Sequence, residues 1–182
     1  MRVLRGKRSR IIAVVLAILV VAFVVLTVVL FVKPDLNPPE RADAVVVLGG
    51  VNIRAPHEGV RLVQEGYAPT VVFSLAPGFP CVGPEVKQVD PAAHVICFAA
   101  EPQTTQGEAR SIQRLASVHH WRRVIVVMPI PQATRARLRI GRCFSGQVLE
   151  LGVEPQGFWD WMREIVYEWG AMGKALVLQP TC

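Results

Sequence analysis

The first 33 residues contain no acid, the 22 residues from Ile11 to Val32 contain no charge of either sign, and nowhere does the chain show C-x-x-C spacing. Each absence excludes a class of function. Six Lys or Arg in residues 1–33 account for the whole formal charge of +6, which leaves 14 bases against 14 acids in residues 34–182. The basicity therefore belongs to the N-terminus, and no nucleic acid is expected as a partner. His57, His94, His119 and His120 form no ligand pattern, so no zinc or other metal site is expected. G-x-G-x-x-G and the P-loop lysine are missing too, and without either fingerprint the sequence names no cofactor.

What is present first is a membrane signal. Between Ile11 and Val32 the only polar side chain is the hydroxyl of Thr27. As a helix this segment would reach roughly 33 Å, enough to cross a hydrocarbon layer of about 30 Å. A core helix of a soluble protein would show a polar stripe, and this one shows none. A cleaved secretory signal has a shorter apolar stretch of about 7 to 15 residues. Ala42-Asp43-Ala44 does read A-x-A, but it lies ten residues beyond the run, at the start of an expected strand.

Arg2, Arg5, Lys7, Arg8 and Arg10 precede the run, whereas only Lys33 follows it closely, beside Asp35 and Glu40. The positive-inside rule then predicts a cytoplasmic tail over residues 1–10, a single transmembrane helix over 11–32, a Pro-rich linker over 33–41 and an extracytoplasmic domain over 42–182. The lipid bilayer is the expected partner, and about 140 residues suffice for one core. All four cysteines follow the helix, in a compartment where thiols oxidise. Three full pairings are possible. Cys81 with Cys97 is favoured, because both flank the same Gly/Pro-rich loop and strand, with Cys143 to Cys182 second.

Beyond the linker, short β-branched runs alternate with helical segments. Strands are expected at 44–48, 70–74, 94–98, 124–128 and 148–151. Helices are expected at 54–65, 105–118, 132–143 and 158–176, with Gly66 as a C-cap glycine and a loop rich in Pro and Gly over 76–91. The fold class is α/β: a transmembrane helix followed by a Rossmann-like, doubly wound, mainly parallel sheet with right-handed crossovers. Trp159, Trp161, Tyr167 and Trp169 of the last helix are expected to pack against the sheet, with contact at a membrane interface as the alternative.

Such sheets bind ligands where strands exit near a reversal of strand order. Gly49-Gly50-Val51-Asn52 follows the first strand, where glycines bring backbone N–H groups close to an anion, or simply make a tight turn. Arg54 comes next and suits a phosphate or carboxylate, or ordinary surface exposure. Thr105 and Glu108 have S/T-x-x-E spacing, which fits a capping box as well as a ligand site. From Arg110 to Arg142 there are eight arginines without one acid between Ala109 and Leu149. Arg135, Arg139 and Arg142 share a helical face by spacing. That face reads either as solvated basic surface near anionic headgroups or as an anion site, with Arg135 gripping phosphate by two parallel bonds.

Together the Ala-Asp-Ala-Val-Val-Val-Leu-Gly-Gly strand exit, the following arginine, Thr104-Thr105-Gln106-Gly107-Glu108-Ala109 and the Arg135-Ala136 pair resemble the YdcF-like envelope family, which includes the SanA and ElyC proteins. The resemblance covers about residues 42–144. It implies a Rossmann-like sheet, a tether to a bacterial inner membrane, and a role in envelope integrity, in peptidoglycan or lipid-carrier metabolism. Carried over residue by residue, the implied site is Gly49, Gly50, Arg54, Thr105, Glu108 and Arg135. Two departures stand out. Gln132 occupies the position where many relatives have a histidine, and Ser74-Leu75-Ala76 replaces a glycine pair. Glutamine cannot exchange a proton near neutral pH, which favours ligand binding, with Gln132 among the contacts, over turnover.

The resulting expectation is a membrane-anchored domain that binds a phosphate-bearing or nucleotide-like envelope ligand, with Glu108 as acid or base and Thr105 as positioning hydroxyl if a reaction follows. The alternative is a non-catalytic accessory domain whose Arg137, Arg139 and Arg142 dock on anionic lipid or on an envelope protein.

Overall fold

The computed structural model describes residues 2–50, 54–81, 89 and 91–182, the first seven of these by backbone alone. Val51 and Asn52 of the first strand exit, and half of the 76–91 loop, lie outside the described residues. Helix α1, Arg2–Thr27, continues through five π-helical residues, Val28–Val32. Its segment Ser9–Val32 is long and apolar enough to cross a membrane, with a mean hydropathy of 3.4 over its most apolar stretch.

Five strands follow: β1 (Ala44–Val47), β2 (Thr70–Leu75), β3 (His94–Ala99), β4 (Arg123–Pro129) and β5 (Gln147–Val153). They form one all-parallel sheet in the order β3-β2-β1-β4-β5, with Val45 of β1 aligned on Val71 of β2 and on Ile125 of β4. Helices α2 (Arg54–Gln64), α3 (Thr105–His119), α4 (Ala133–Cys143) and α5 (Phe158–Gly173) connect and cover it. This is the expected Rossmann-like α/β fold.

Strand geometry dictates the layering. Side chains alternate across the pleat, so Val45, Val47, Val71 and Ile125 join Leu62 and Val63 of α2 in one core, while Ala44, Val46, Val124 and Val126 join Ile112 of α3 and Ile140 of α4 in the other. Every residue of β1 is buried, which explains its unbroken apolar run. Gly66 ends α2 as expected, at φ +79°, with the Tyr67 N–H reaching back to the Leu62 carbonyl. The strand order reverses between β1 and β4, so the crevice beyond their carboxyl ends is the switch point of the sheet.

Both favoured disulfides are present. Cys81 joins Cys97 with Cα atoms 5.8 Å apart, and Cys143 joins Cys182 at 4.9 Å. The linker is held to the sheet as well: Asn37 N–H donates to the Glu150 carbonyl, and Glu150 N–H donates to Asn37 Oδ1, each at 3.1 Å.

The aromatic helix departs from the expected packing against the sheet. Trp159 is 80% exposed. Trp169 packs on α1: its ring stacks on Phe23 at 5.0 Å, meets Phe31 edge-on at 5.2 Å and donates from Nε1 to Thr27 Oγ1 at 3.2 Å. The reason is position. α5 lies beyond the carboxyl edge of the sheet, against α4 and the 3₁₀ turn Ile130–Gln132, so only a narrow inner face of it is covered, at Glu168 and Met172.

Close approach of α2 to β1 depends on Gly59, where an added methyl would lie 2.3 Å from Val47 Cγ2. Helix propensity alone would favour alanine there by about 1 kcal/mol. Gly59→Ala is expected to destabilise the protein nonetheless, by about 1–2 kcal/mol net, seen as a lower Tm in detergent. A higher Tm would contradict this packing.

Candidate functional site

At the switch point the site is assembled from the bottom of the crevice upward. Leu48 continues β1 and Gly49 turns away from it. Across this exit stands the start of α3, where Thr104, extended at φ −151° and ψ 163°, caps the helix by accepting the Gly107 N–H at 3.4 Å. Of the two readings of Thr105 and Glu108, the capping box is therefore not formed. The cap falls one residue earlier, which releases both side chains inward.

Glu108 is 5% exposed and accepts the Gly49 N–H at 2.6 Å. Burial pushes its carboxyl above the ordinary 4.5, although the bond from Gly49, the Ser74 hydroxyl, the charge of Arg135 and the Thr105 hydroxyl all pull the other way. A side chain at position 49 would crowd this carboxylate, since its Cβ would lie 3.3 Å from Glu108 Oε1 and from Ser74 Oγ.

Thr105 is the junction. Its Oγ1 donates toward Glu108 while accepting Arg135 Nη1 at 2.6 Å and Gln132 Nε2 at 3.2 Å. Arg135, at the start of α4, turns its Nε and Nη2 edge onto Glu168 of α5, with both bonds at 2.6 Å. The Tyr167 ring lies 5.7 Å from the guanidinium carbon. Burial opposes the charge on Arg135, yet the Glu168 carboxylate outweighs it and holds the guanidinium above its usual pKa.

These groups line a cavity of about 430 Å³, with Gly49, Gly50, Ser74, Thr105, Glu108, Gln132 and Arg135 on the sheet side and Arg163, Glu164, Tyr167 and Glu168 on α5. The structure thus brings together six of the seven expected ligand or catalytic residues: Gly49, Gly50, Thr105, Glu108, Gln132 and Arg135. Arg54, the seventh, opens α2, is exposed and does not line the cavity. Sequence reasoning missed Ser74, Tyr167 and Glu168. Ser74 stands at a strand exit and was visible by position; Glu168 was one acid in an aromatic helix, with nothing to tie it to Arg135.

Two further expectations need correction. Arg135 cannot hold phosphate through its Nε and Nη2 edge, because Glu168 occupies it. Of the five N–H donors of a guanidinium, three are taken, which leaves two for a ligand. Nor is the shared face of Arg139 and Arg142 a solvated basic surface. Arg139, 4% exposed, donates to the Gln179 carbonyl at 2.6 Å and to its Oε1 at 2.8 Å, and Arg142 donates to the carbonyls of Ala175 and Gln179. The segment after α5 folds back over them, and its carbonyl end attracts cations. Arg137 is exposed but pairs with buried Glu150 and donates to the Asp35 carbonyl.

Among the described residues no group of three or more His, Cys, Asp or Glu side chains is placed to hold a metal ion. No family model matches the chain, and no curated protein matches it.

Removing one partner of a buried pair strands the other charge. Glu168→Ala is expected to cost about 3–5 kcal/mol, and the double change Glu168→Leu with Arg135→Met to recover most of it, as read from denaturant midpoints. A mild effect of the single change would mean that Arg135 is not dry.

Glu108 gives a pH prediction. Its folded pKa lies above its unfolded value, so its contribution to stability is complete below about pH 4.5 and is lost as pH rises through the folded pKa. Glu108→Gln should therefore gain stability relative to wild type as pH rises from 4 toward neutrality, measured by thermal unfolding across that range. A pH-independent difference would contradict the raised pKa.

Proposed function

We propose that the chain is anchored in the cell membrane by α1 with its N-terminus in the cytoplasm, and that the α/β domain outside binds a phosphate-bearing or nucleotide-like ligand in the switch-point cavity. The observation that carries this reading is the hydrogen-bonded chain from Gly49 through Glu108 and Thr105 to Arg135 at the cavity floor. The anchoring is supported by the apolar run, by the five basic residues before it and by two disulfides in the domain behind it. The resemblance to the YdcF-like envelope family supports a role in cell-envelope metabolism.

The charges at the site decide how an anion would be held. Glu108, Glu164 and Glu168 face Arg135 and Arg163, so with every group ionised the cavity is no place for phosphate. Burial raises the carboxyls of both Glu108 and Glu164, and a neutral Glu108 changes from a repelling charge into a hydrogen-bond donor. The ligand is then met by that donor, by the two remaining N–H groups of Arg135 and by the Gln132 amide. An enzymatic step would use the same Glu108 proton, held ready by Thr105.

Binding coupled to Glu108 must depend on pH. A bound anion disfavours ionisation of Glu108, so complex formation takes up a proton and affinity falls as pH rises through the folded pKa. Titration calorimetry of the full chain in detergent with inorganic pyrophosphate or UDP is expected to show this fall. Glu108→Gln, which keeps a donor but cannot ionise, should bind with little pH dependence, and Thr105→Val should bind about tenfold more weakly. Binding indifferent to pH and to both substitutions would remove the proposal. Against the accessory-domain alternative, Arg139 is buried and Arg142 is bonded to carbonyls within the fold, which leaves Arg137 as the exposed member of its docking face.

A further inference from the structure

Helix α5 carries two faces with different chemistry. One lines the cavity with Arg163, Glu164, Tyr167 and Glu168. Beside it runs an exposed apolar stripe at helical spacing: Trp159 is 80% exposed, Met162 41% and Val166 68%, with Leu176, Val177 and Leu178 continuing past the end of the helix. So many large apolar side chains in one strip mark a contact surface.

The anchor helix identifies what covers it. Trp169, between Val166 and the apolar end of this segment, stacks on Phe23 and meets Phe31, and the Thr134 hydroxyl of α4 holds the Leu30 carbonyl at 2.5 Å. The domain thus lies alongside α1 from Phe23 to Val32. Only 12 residues, Ile11 to Ala22, remain between it and the basic tail, and they span roughly 18 Å against a hydrocarbon layer of about 30 Å. The shortfall cannot be made up from residues before Ile11, because Arg2, Arg5, Lys7, Arg8 and Arg10 do not enter hydrocarbon without large cost. If α1 crosses a membrane, Phe23 lies within it, and the Trp169 ring stacked on Phe23 lies there too.

We propose that the apolar stripe of α5 is embedded in the outer leaflet of the bilayer, and that the cavity takes its phosphate from an amphiphile that enters laterally, with its hydrocarbon tail along Met162 and Val166. This rests on the anchoring and anion-binding reading above. Tyr167 marks the threshold: 64% exposed, it lines the cavity, sits over Arg135 and adjoins Val166. An amphipathic helix in this position lies in the plane of the interface with its apolar side among the acyl chains.

The test uses the full chain in phosphatidylcholine vesicles. The Trp159 emission, taken as the difference between wild type and Trp159→Phe, is expected to be quenched by lipids brominated in their acyl chains and shielded from aqueous iodide. Iodide quenching without bromolipid quenching overturns the proposal. In the same vesicles, the double variant Trp159→Glu with Val166→Glu is expected to bind farnesyl phosphate about tenfold more weakly than wild type, by loss of contact with the tail, while inorganic pyrophosphate binds equally to both. Equal farnesyl phosphate affinity for wild type and variant overturns lateral entry and leaves the anion site standing. If neither phosphate binds wild type, the anion site falls, and the lipid ligand with it.

Discussion

A guanidinium buried in protein must be neutralised where it stands, since moving an unpaired charge out of water costs several kcal/mol even after relaxation. Arg135 meets this requirement with Glu168, and in doing so fastens α5 to the start of α4. That pair works with the Trp169 contacts on Phe23 and Phe31, and with the Arg139 and Arg142 bonds to the segment after α5, to hold α5 beyond the edge of the sheet, where much of its outer side is bare. The cavity exists because α5 is held at that distance. The same guanidinium reaches Thr105 with its remaining nitrogen, so the element that closes the site also orients the hydroxyl at its centre.

Charge balance at the switch point follows from this. With Glu168 committed to Arg135, the pair contributes little net field, and the protonation state of Glu108 becomes the variable that sets the sign of the cavity. Three donors are aimed at this carboxyl, from Gly49, Ser74 and Thr105, but the enclosed position dominates them. A carboxyl whose pKa enclosure raises while donors surround it is a group whose proton responds to what enters the cavity.

The central strands were plain in the sequence because they are compact runs of β-branched residues buried on both faces, as in Val45-Val46-Val47 and Val124-Ile125-Val126-Val127. Pairing of Cys81 with Cys97 was legible because one loop and one strand brought them near. Thr105 and Glu108 were found as a motif that fitted a cap and a ligand site alike; the threonine immediately before them fits the cap equally well, and periodicity cannot choose between neighbours. The arginines of α4 show a different limit. Helical spacing tells which of them share a face, but what covers that face arrives more than thirty residues later, as carbonyls at Ala175 and Gln179. Glu168 was invisible for the same reason.

The short link between α1 and the sheet domain has a consequence for motion. Eleven residues, Lys33 to Asp43, separate Val32 from Ala44, enough for a tether of roughly 40 Å when extended, yet Asn37 is tied to Glu150 of β5, and Leu30 and Phe31 are already lodged against α4 and α5. The domain is not a float on a leash. It behaves as the head of a bolt whose shank is α1, so torque applied to that shank by a neighbouring helix would turn the head, and the mouth of the cavity would sweep round with it.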